Sequence, residues 1–166
     1  TTIGFYQYQC DPHIPAMVGS ITVNSPPNSV YDIISGSSVH TTLKAAIDAC
    51  GLDGTLSGPG PFTVFAPTNQ AFVDLLAELG ISSLSEIDEP TLKATLTYHV
   101  IGELNAYSTD LSDNLELNTL GGPITANITG GATLTDGNNR VSNIIAVDIQ
   151  ANNGVIHVID KVILPN

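Results

Sequence analysis

Positive charge is what this sequence lacks most. Three lysines and one arginine stand against sixteen carboxylates in 166 residues, a formal net charge of −12. Proteins hold phosphate backbones by putting Lys and Arg in place of counterions, so this balance excludes a nucleic-acid surface. It also argues against electrostatic docking on anionic lipid. The acids are scattered rather than run together, which reads as solubility. Long apolar runs are missing too: no segment reaches the roughly 18 consecutive apolar residues of a membrane span. Tryptophan is absent and the aromatics number only nine, five Tyr and four Phe, few to line an apolar ligand site.

Catalytic signatures are likewise missing. The chain has no Gly-x-Ser-x-Gly elbow, no His-Glu-x-x-His, no Cys-x-x-Cys and no glycine loop that would cradle phosphate before a helix. The acidic cluster Glu86, Asp88, Glu89 immediately precedes a predicted helix, where carboxylates complement the helix dipole. Asp136-Gly-Asn-Asn lacks the later ligands of a calcium loop and reads as a tight turn. Of the four histidines, His13 in Cys10-Asp-Pro-His13 and His40 before a helix are expected at the surface. His99 and His157 fall on apolar faces and are expected in the core with both ring nitrogens satisfied. The sequence therefore predicts no enzyme, no catalytic residue, no metal and no cofactor.

What is present is a clear alternation of punctuation and periodicity. Asn28 or Ser29 can cap a short helix carrying Val30, Ile33 and Ile34, stopped by Gly36. A second helix is predicted from about Thr41 to Cys50, ending at Gly51, with a glycine- and proline-rich loop over 51–61. Phe62–Ala66 reads as a short buried strand. Thr68 or Asn69 then caps a helix with Phe72, Leu75, Leu76 and Leu79 on one stripe. Pro90 fits the first turn of the next helix, which carries Leu92, Leu96, His99 and Val100 on one side. Beyond it strands are predicted at 100–104, 115–120, 124–128, 132–135, 141–149 and 155–164, with paired glycines between several of them. The last strand is apolar on both faces, with Val155 and Ile159 on one and Ile156 and Val158 on the other, which places it in the middle of a covered sheet. It follows a hairpin turn at Asn152-Asn153-Gly154. Helices mostly first and strands mostly last define an α+β domain.

Residues 1–27 differ. They hold Phe5, Tyr6, Tyr8, Cys10 and four prolines with no helical period, and read as an irregular extension preceding a domain over 28–166. Cys10 and Cys50 can pair, closing a long loop worth about 3–4 kcal/mol in the chain-entropy model; the alternative is a pair of buried thiols, Cys50 continuing the stripe of Leu43, Ala46 and Ile47. Asn127-Ile-Thr129 is a glycosylation sequon. Few lysines and plentiful Thr, Ser, Asn and Gly suggest a secreted or surface protein, with any export signal already removed or lying outside this chain.

Three blocks together resemble the fasciclin domain, an extracellular module. The first is Phe62-Thr-Val-Phe-Ala-Pro-Thr-Asn-Gln-Ala-Phe72, the second Leu96-Thr-Tyr-His-Val100, and the third runs from Asp148-Ile-Gln-Ala through Val-Ile-Leu-Pro165. The resemblance covers roughly residues 28–165 and implies a wedge-shaped β-sandwich of about seven strands with helices packed against it. It also implies adhesion or matrix attachment without catalysis, through a cell-surface or matrix protein or a glycan, commonly as one module of a longer chain. In some animal members integrin binding is assigned to a tyrosine–histidine pair and to an Asp-Ile pair. These fall here on Tyr98, His99, Asp148 and Ile149, although the residues flanking the Asp-Ile pair depart from the animal motif. Read physically, Ile149 is a core residue, and the Asp148 carboxylate is expected to serve the nearby Asn152–Gly154 turn. Tyr6, Tyr8 and Tyr107 are candidate aromatic anchors for a partner. Some algal fasciclin proteins bind carotenoids, which implies an alternative role: carriage of a small lipophilic ligand in an apolar cleft between helices and sheet.

Overall fold

The computed structural model describes residues 28–166; the extension over 1–27, with Tyr6, Tyr8, Cys10 and His13, lies outside the described residues. In chain order the elements are α1 Val30–Ser35, α2 Thr41–Ala49, α3 Asp53–Ser57, β1 Phe62–Pro67, α4 Asn69–Leu79, α5 Glu89–Thr97, β2 Val100–Gly102, β3 Leu115–Thr119, β4 Gly122–Asn127, β5 Thr133–Thr135, β6 Val141–Ala151 and β7 Gly154–Ile159, with short 3₁₀ turns at Leu84–Glu86 and Ser108–Asp110.

The helices start where side chains can satisfy their first N–H groups. Ser29 and Asp32 form a reciprocal capping box on α1. Thr68 accepts from Ala71 N to open α4. The Asp88 carboxylate accepts Thr91 N at 3.1 Å to open α5, with Pro90 in its first turn. The acidic cluster is thus a capping device, Glu86 likewise accepting from Ser82 and Ser83. Gly51 follows α2 with φ 64, a conformation that suits glycine. Two expectations need correction here. The glycine-rich loop after Gly51 contains the turn of helix α3, because Leu56 finds a place in the core. Leu79, at the end of the α4 stripe, is half exposed, so that stripe is shorter than its periodicity suggested.

The strands form one mixed sheet in the order β2-β1-β7-β6-β5-β4-β3. β7 lies between β1, which is parallel to it, and β6, which is antiparallel, as its two apolar faces require. A two-residue turn at Asn152-Asn153 joins β6 to β7. The long strand β6 belongs to both halves of the sheet: β7, β1 and β2 lie to one side, β5, β4 and β3 to the other. Two cores result. The helices cover one face of the first half, where Leu43, Ile47, Phe72, Leu75 and Leu96 meet Val64, Ala66 and Ile156. The second core lies among the strands, with Phe65, Tyr98, Ile101, Leu117, Ile124, Leu134 and Ile159. Alternation along β1 sends Val64 and Ala66 to one core and Phe65 to the other. Each such large side chain, fully buried, contributes roughly 1.5–3 kcal/mol by area transfer.

The strand ends also differ from the sequence-based bounds. β7 stops at Ile159 because the chain turns at Asp160-Lys161, where Asp160 accepts from Asn143 N and Nδ2 and the Ser142 hydroxyl donates to Lys161 O. Val162 and Ile163 remain buried beyond that turn. β2 stops at Gly102, and Glu103 follows with φ 64. His40 is a further correction: expected in solvent, it is buried at 5 % exposure before α2, with Nδ1 paired to Ser37 Oγ at 2.8 Å. Burial lowers its pKa, and the Ala66 carbonyl offsets this in part.

Candidate functional site

The most unusual backbone in the sheet lies on β6. The β6–β7 register slips between Ile144 and Ala146 and again between Ala146 and Ile149, and Asp148 sits in the irregular stretch with φ 57. Asp is among the few non-glycine residues that tolerate this conformation. The bulge turns the Asp148 carboxylate away from the Asn152–Gly154 turn, contrary to the sequence-based expectation. It accepts Ser108 N at 2.8 Å and the Ser108 hydroxyl. The Ser108 hydroxyl, with its backbone N–H, holds the carboxylate pKa below its ordinary value. The Asp148 N–H donates to His157 Nδ1 at 3.3 Å, and His157 Nε2 donates to Ala106 O at 2.7 Å. These two partners fix the neutral Nε2–H tautomer of His157.

A third residue completes the clamp. Thr63, fully buried on β1, donates its hydroxyl to Leu104 O at 2.7 Å and accepts Ala106 N at 2.8 Å. Residues 104–108 are therefore held from three strands at once, by Thr63 on β1, His157 on β7 and Asp148 on β6. Ala106 and Ser108 had no motif to mark them in the sequence, and Thr63 lay within the first resemblance block without a role assigned to it. The one local signal was a threonine in an otherwise apolar buried strand, whose hydroxyl had to find partners.

This held loop borders a groove of about 600 Å³, lined by residues that include Pro59, Asn105, Tyr107, Gln150, Asn152 and Asn153. Tyr107 is half-buried there. Asn153 is committed to structure: its Oδ1 accepts Val30 N, and its Nδ2 donates to Leu56 O and Gly58 O. A second groove, about 560 Å³, runs between Val39, the start of α4 and the outward face of β6, with Ile145, Ala146 and Val158 among its lining. Ile145 and Val147 are 57 % and 42 % exposed on that face.

The resemblance-implied residues fall in two places. Tyr98 and His99 are interior, each 2 % exposed. The Tyr98 hydroxyl donates to Pro123 O at 2.7 Å and accepts Gly137 N at 2.9 Å, and burial raises its pKa. His99 Nδ1 donates to Thr95 O at 2.7 Å and its Nε2 accepts Ile163 N at 3.1 Å. Burial moves its pKa down to about 4. Asp148 and Ile149 are half-buried, Ile149 packing against the helix-covered core. Asn127 is half-buried at the end of β4 and accepts Asn114 N at 2.9 Å, while Thr129 of its sequon donates to Asp113. Cys50 is buried behind α2; its pairing with Cys10 lies outside the described residues. Among the described residues no group of three His, Cys, Asp or Glu is placed to hold a metal, and no helix is long and apolar enough to cross a membrane. Between helices and sheet a cavity of about 20 Å³ lies beside Leu43, Val64 and Leu96. That is room for about one water, too little for a lipophilic ligand at that place.

The architecture defines a class. It superposes on a FAS1 domain pair from the insect cell adhesion molecule Fasciclin I with a TM-score of 0.70, covering 84 % of this chain and 51 % of that one at 17 % identity, which speaks for the fold. The fasciclin domain family model matches residues 38–165, and the chain belongs to the fasciclin family. Protein sll1483 of Synechocystis sp. is 38 % identical over 138 residues, 82 % of this chain and 73 % of its own length. Mouse Stabilin-1 is 30 % identical over 166 residues, which is 99 % of this chain and 6 % of that protein. Porcine transforming growth factor-beta-induced protein ig-h3 is 31 % identical over 147 residues, 87 % and 20 % respectively. Against these animal relatives the chain matches one small part of a much longer protein.

Proposed function

We propose that residues 28–166 are a non-enzymatic adhesion module that acts outside the cell and holds a protein or glycan displayed on another surface. The observation that carries this reading is the outward face of β6. Val39 and Ile145, 51 % and 57 % exposed, line an open, largely apolar groove, and Val147, 42 % exposed, follows on the same strand immediately before the Asp148-Ile149 bulge. Clustered apolar side chains in solvent mark contact surfaces, whereas single ones need no explanation. Asp148 contributes by fixing the bulge that sets the pitch of this face, and Tyr98 and His99 by supporting the sheet from inside. The test is attachment of protein-coated beads to cells and matrix of the natural source. Ile145→Lys should abolish attachment at unchanged melting temperature. Beads that attach no better than uncoated ones in the wild-type protein would sink the reading.

The same apolar groove favours a second reading, carriage of a small lipophilic ligand such as a carotenoid. Its volume of about 560 Å³ lies within the range of roughly 300–1,000 Å³ typical of ligand sites. Mass spectrometry of an organic extract from natively purified protein, with its visible absorption spectrum, separates the two. A stoichiometric coloured lipid selects the carrier, and a colourless, empty protein leaves adhesion.

A further inference from the structure

We propose that the groove beside the β6–β7 hairpin is a binding site for a neutral, hydroxyl-rich glycan. This deepens the adhesion reading and rests on it, but it uses a different face: the hairpin groove and the β6 groove share no lining residue.

The lining argues for the ligand class. On a chain of net charge −12, no Asp, Glu, Lys, Arg or His lines this groove. Its polar chemistry comes from amides, the Ser57 and Tyr107 hydroxyls and backbone, and its one aromatic is Tyr107. Amides both donate and accept, which suits vicinal hydroxyls, and an aromatic face suits the C–H face of a pyranose. An anionic sugar would find no cation here, and a lipid would find few apolar walls.

The groove is also built before any ligand arrives. Thr63, His157 and Asp148 fix the loop that carries Asn105 and Tyr107. On the opposite wall Asn153 ties the hairpin to Leu56 and Gly58. Gly60 lies so close to Asn153 O that a Cβ there would stand 1.9 Å from it. Within this rigid frame one polar atom is left over: Asn105 Oδ1 is buried without a hydrogen-bond partner among the described residues. A buried acceptor with no donor is costly, and rotation of the half-buried Asn105 amide toward the groove would let a ligand hydroxyl pair with it.

The experiment is a titration of the full-length, ¹⁵N-labelled chain with cellotetraose, mannotetraose and chitotetraose, with tetragalacturonate as the anionic control. The expected result is that at least one neutral tetrasaccharide shifts the amides of Asn105, Tyr107 and Gln150 at submillimolar to millimolar concentration, and tetragalacturonate does not. Tyr107→Ala and Asn105→Ala should each weaken that binding about tenfold. Asn105→Ala should leave the melting temperature unchanged or higher, since it removes an unsatisfied buried acceptor, a pattern that a structural role would reverse. The proposal is overturned if no neutral sugar shifts these amides, if tetragalacturonate shifts them equally, or if both variants bind as wild type. Beads that still attach through the β6 face in that event would leave the adhesion reading standing.

Discussion

Asp148 and Ser108 are 40 residues apart in sequence, and the carboxylate of one receives both the backbone N–H, at 2.8 Å, and the hydroxyl of the other. The bond exists because Asp148 occupies a left-handed backbone position in a bulge, which swings its side chain across the sheet edge. Asp148→Ala loses both hydrogen bonds and places a Cβ without compensation at φ 57. Its expected cost is about 2 kcal/mol by urea unfolding at neutral pH. Asp148→Asn, which keeps the backbone tolerance, should cost less. The folded carboxylate pKa is depressed, so its contribution is fully present above the unfolded value of about 3.9 and is lost as pH falls through the folded value. The gap between wild type and Asp148→Ala should narrow below that range.

His99 sets a second pH dependence, in a different window. Its folded pKa of about 4 lies below the unfolded value of about 6.5, so between these pH values the unfolded chain binds a proton that the folded one refuses. Stability is therefore full above about pH 6.5 and falls on acidification toward pH 4, by on the order of 3 kcal/mol. Urea titrations from pH 7 to 4.5 should show this slope, with His40, also depressed by burial, adding to it. His99→Gln should be less stable at pH 7 and show a slope smaller by about one proton. An unchanged slope would mean that His99 titrates normally.

His157→Ala is expected to destabilise the domain by about 1–3 kcal/mol, through a cavity against Phe65, with which its ring stacks at 5.6 Å, and through two stranded partners. Hydrogen exchange should accelerate at the Asp148 amide, which loses its acceptor, and in the 104–108 loop. Full stability combined with lost partner binding would instead make His157 a contact residue.

Gly154→Ala tests the close approach of β7 to β1. A Cβ there would lie 2.3 Å from Phe62 O, a backbone atom that cannot swing aside. The expected loss is about 3 kcal/mol, read from thermal melting. Gly54→Ala meets nothing within 4 Å and should melt as wild type or slightly higher.

The features legible in the sequence were those whose causes are local. Two apolar faces put β7 in the centre of the sheet, Asn152-Asn153 gave the hairpin, Thr68 and Pro90 marked helix starts, and the two histidines on apolar faces are indeed buried with partners. What stayed hidden depends on contacts distant in sequence. Nothing around Asp148 announces that the ladder slips there, so its carboxylate was assigned to the turn four residues on rather than to Ser108. His40 looked exposed because its cover, Ser37 and the Ala66 carbonyl, comes from the preceding loop and from β1. The hairpin groove was invisible for the same reason, since Asn105 and Tyr107 meet Gln150 and Pro59 only once three strands have clamped the loop.

The order of the sheet leaves β2 and β3 at its two ends, yet Leu120 N, just past β3, donates to Val100 O on β2 at 2.8 Å. One backbone hydrogen bond thus ties the two margins, and the sheet curls so that they approach each other. An open margin is a template onto which a neighbour's strand can add. A module packed at high density beside copies of itself, as on a coated surface or in a tandem array, would face that hazard continually. With its margins turned to each other at that point, this one offers its neighbours less open ladder to join.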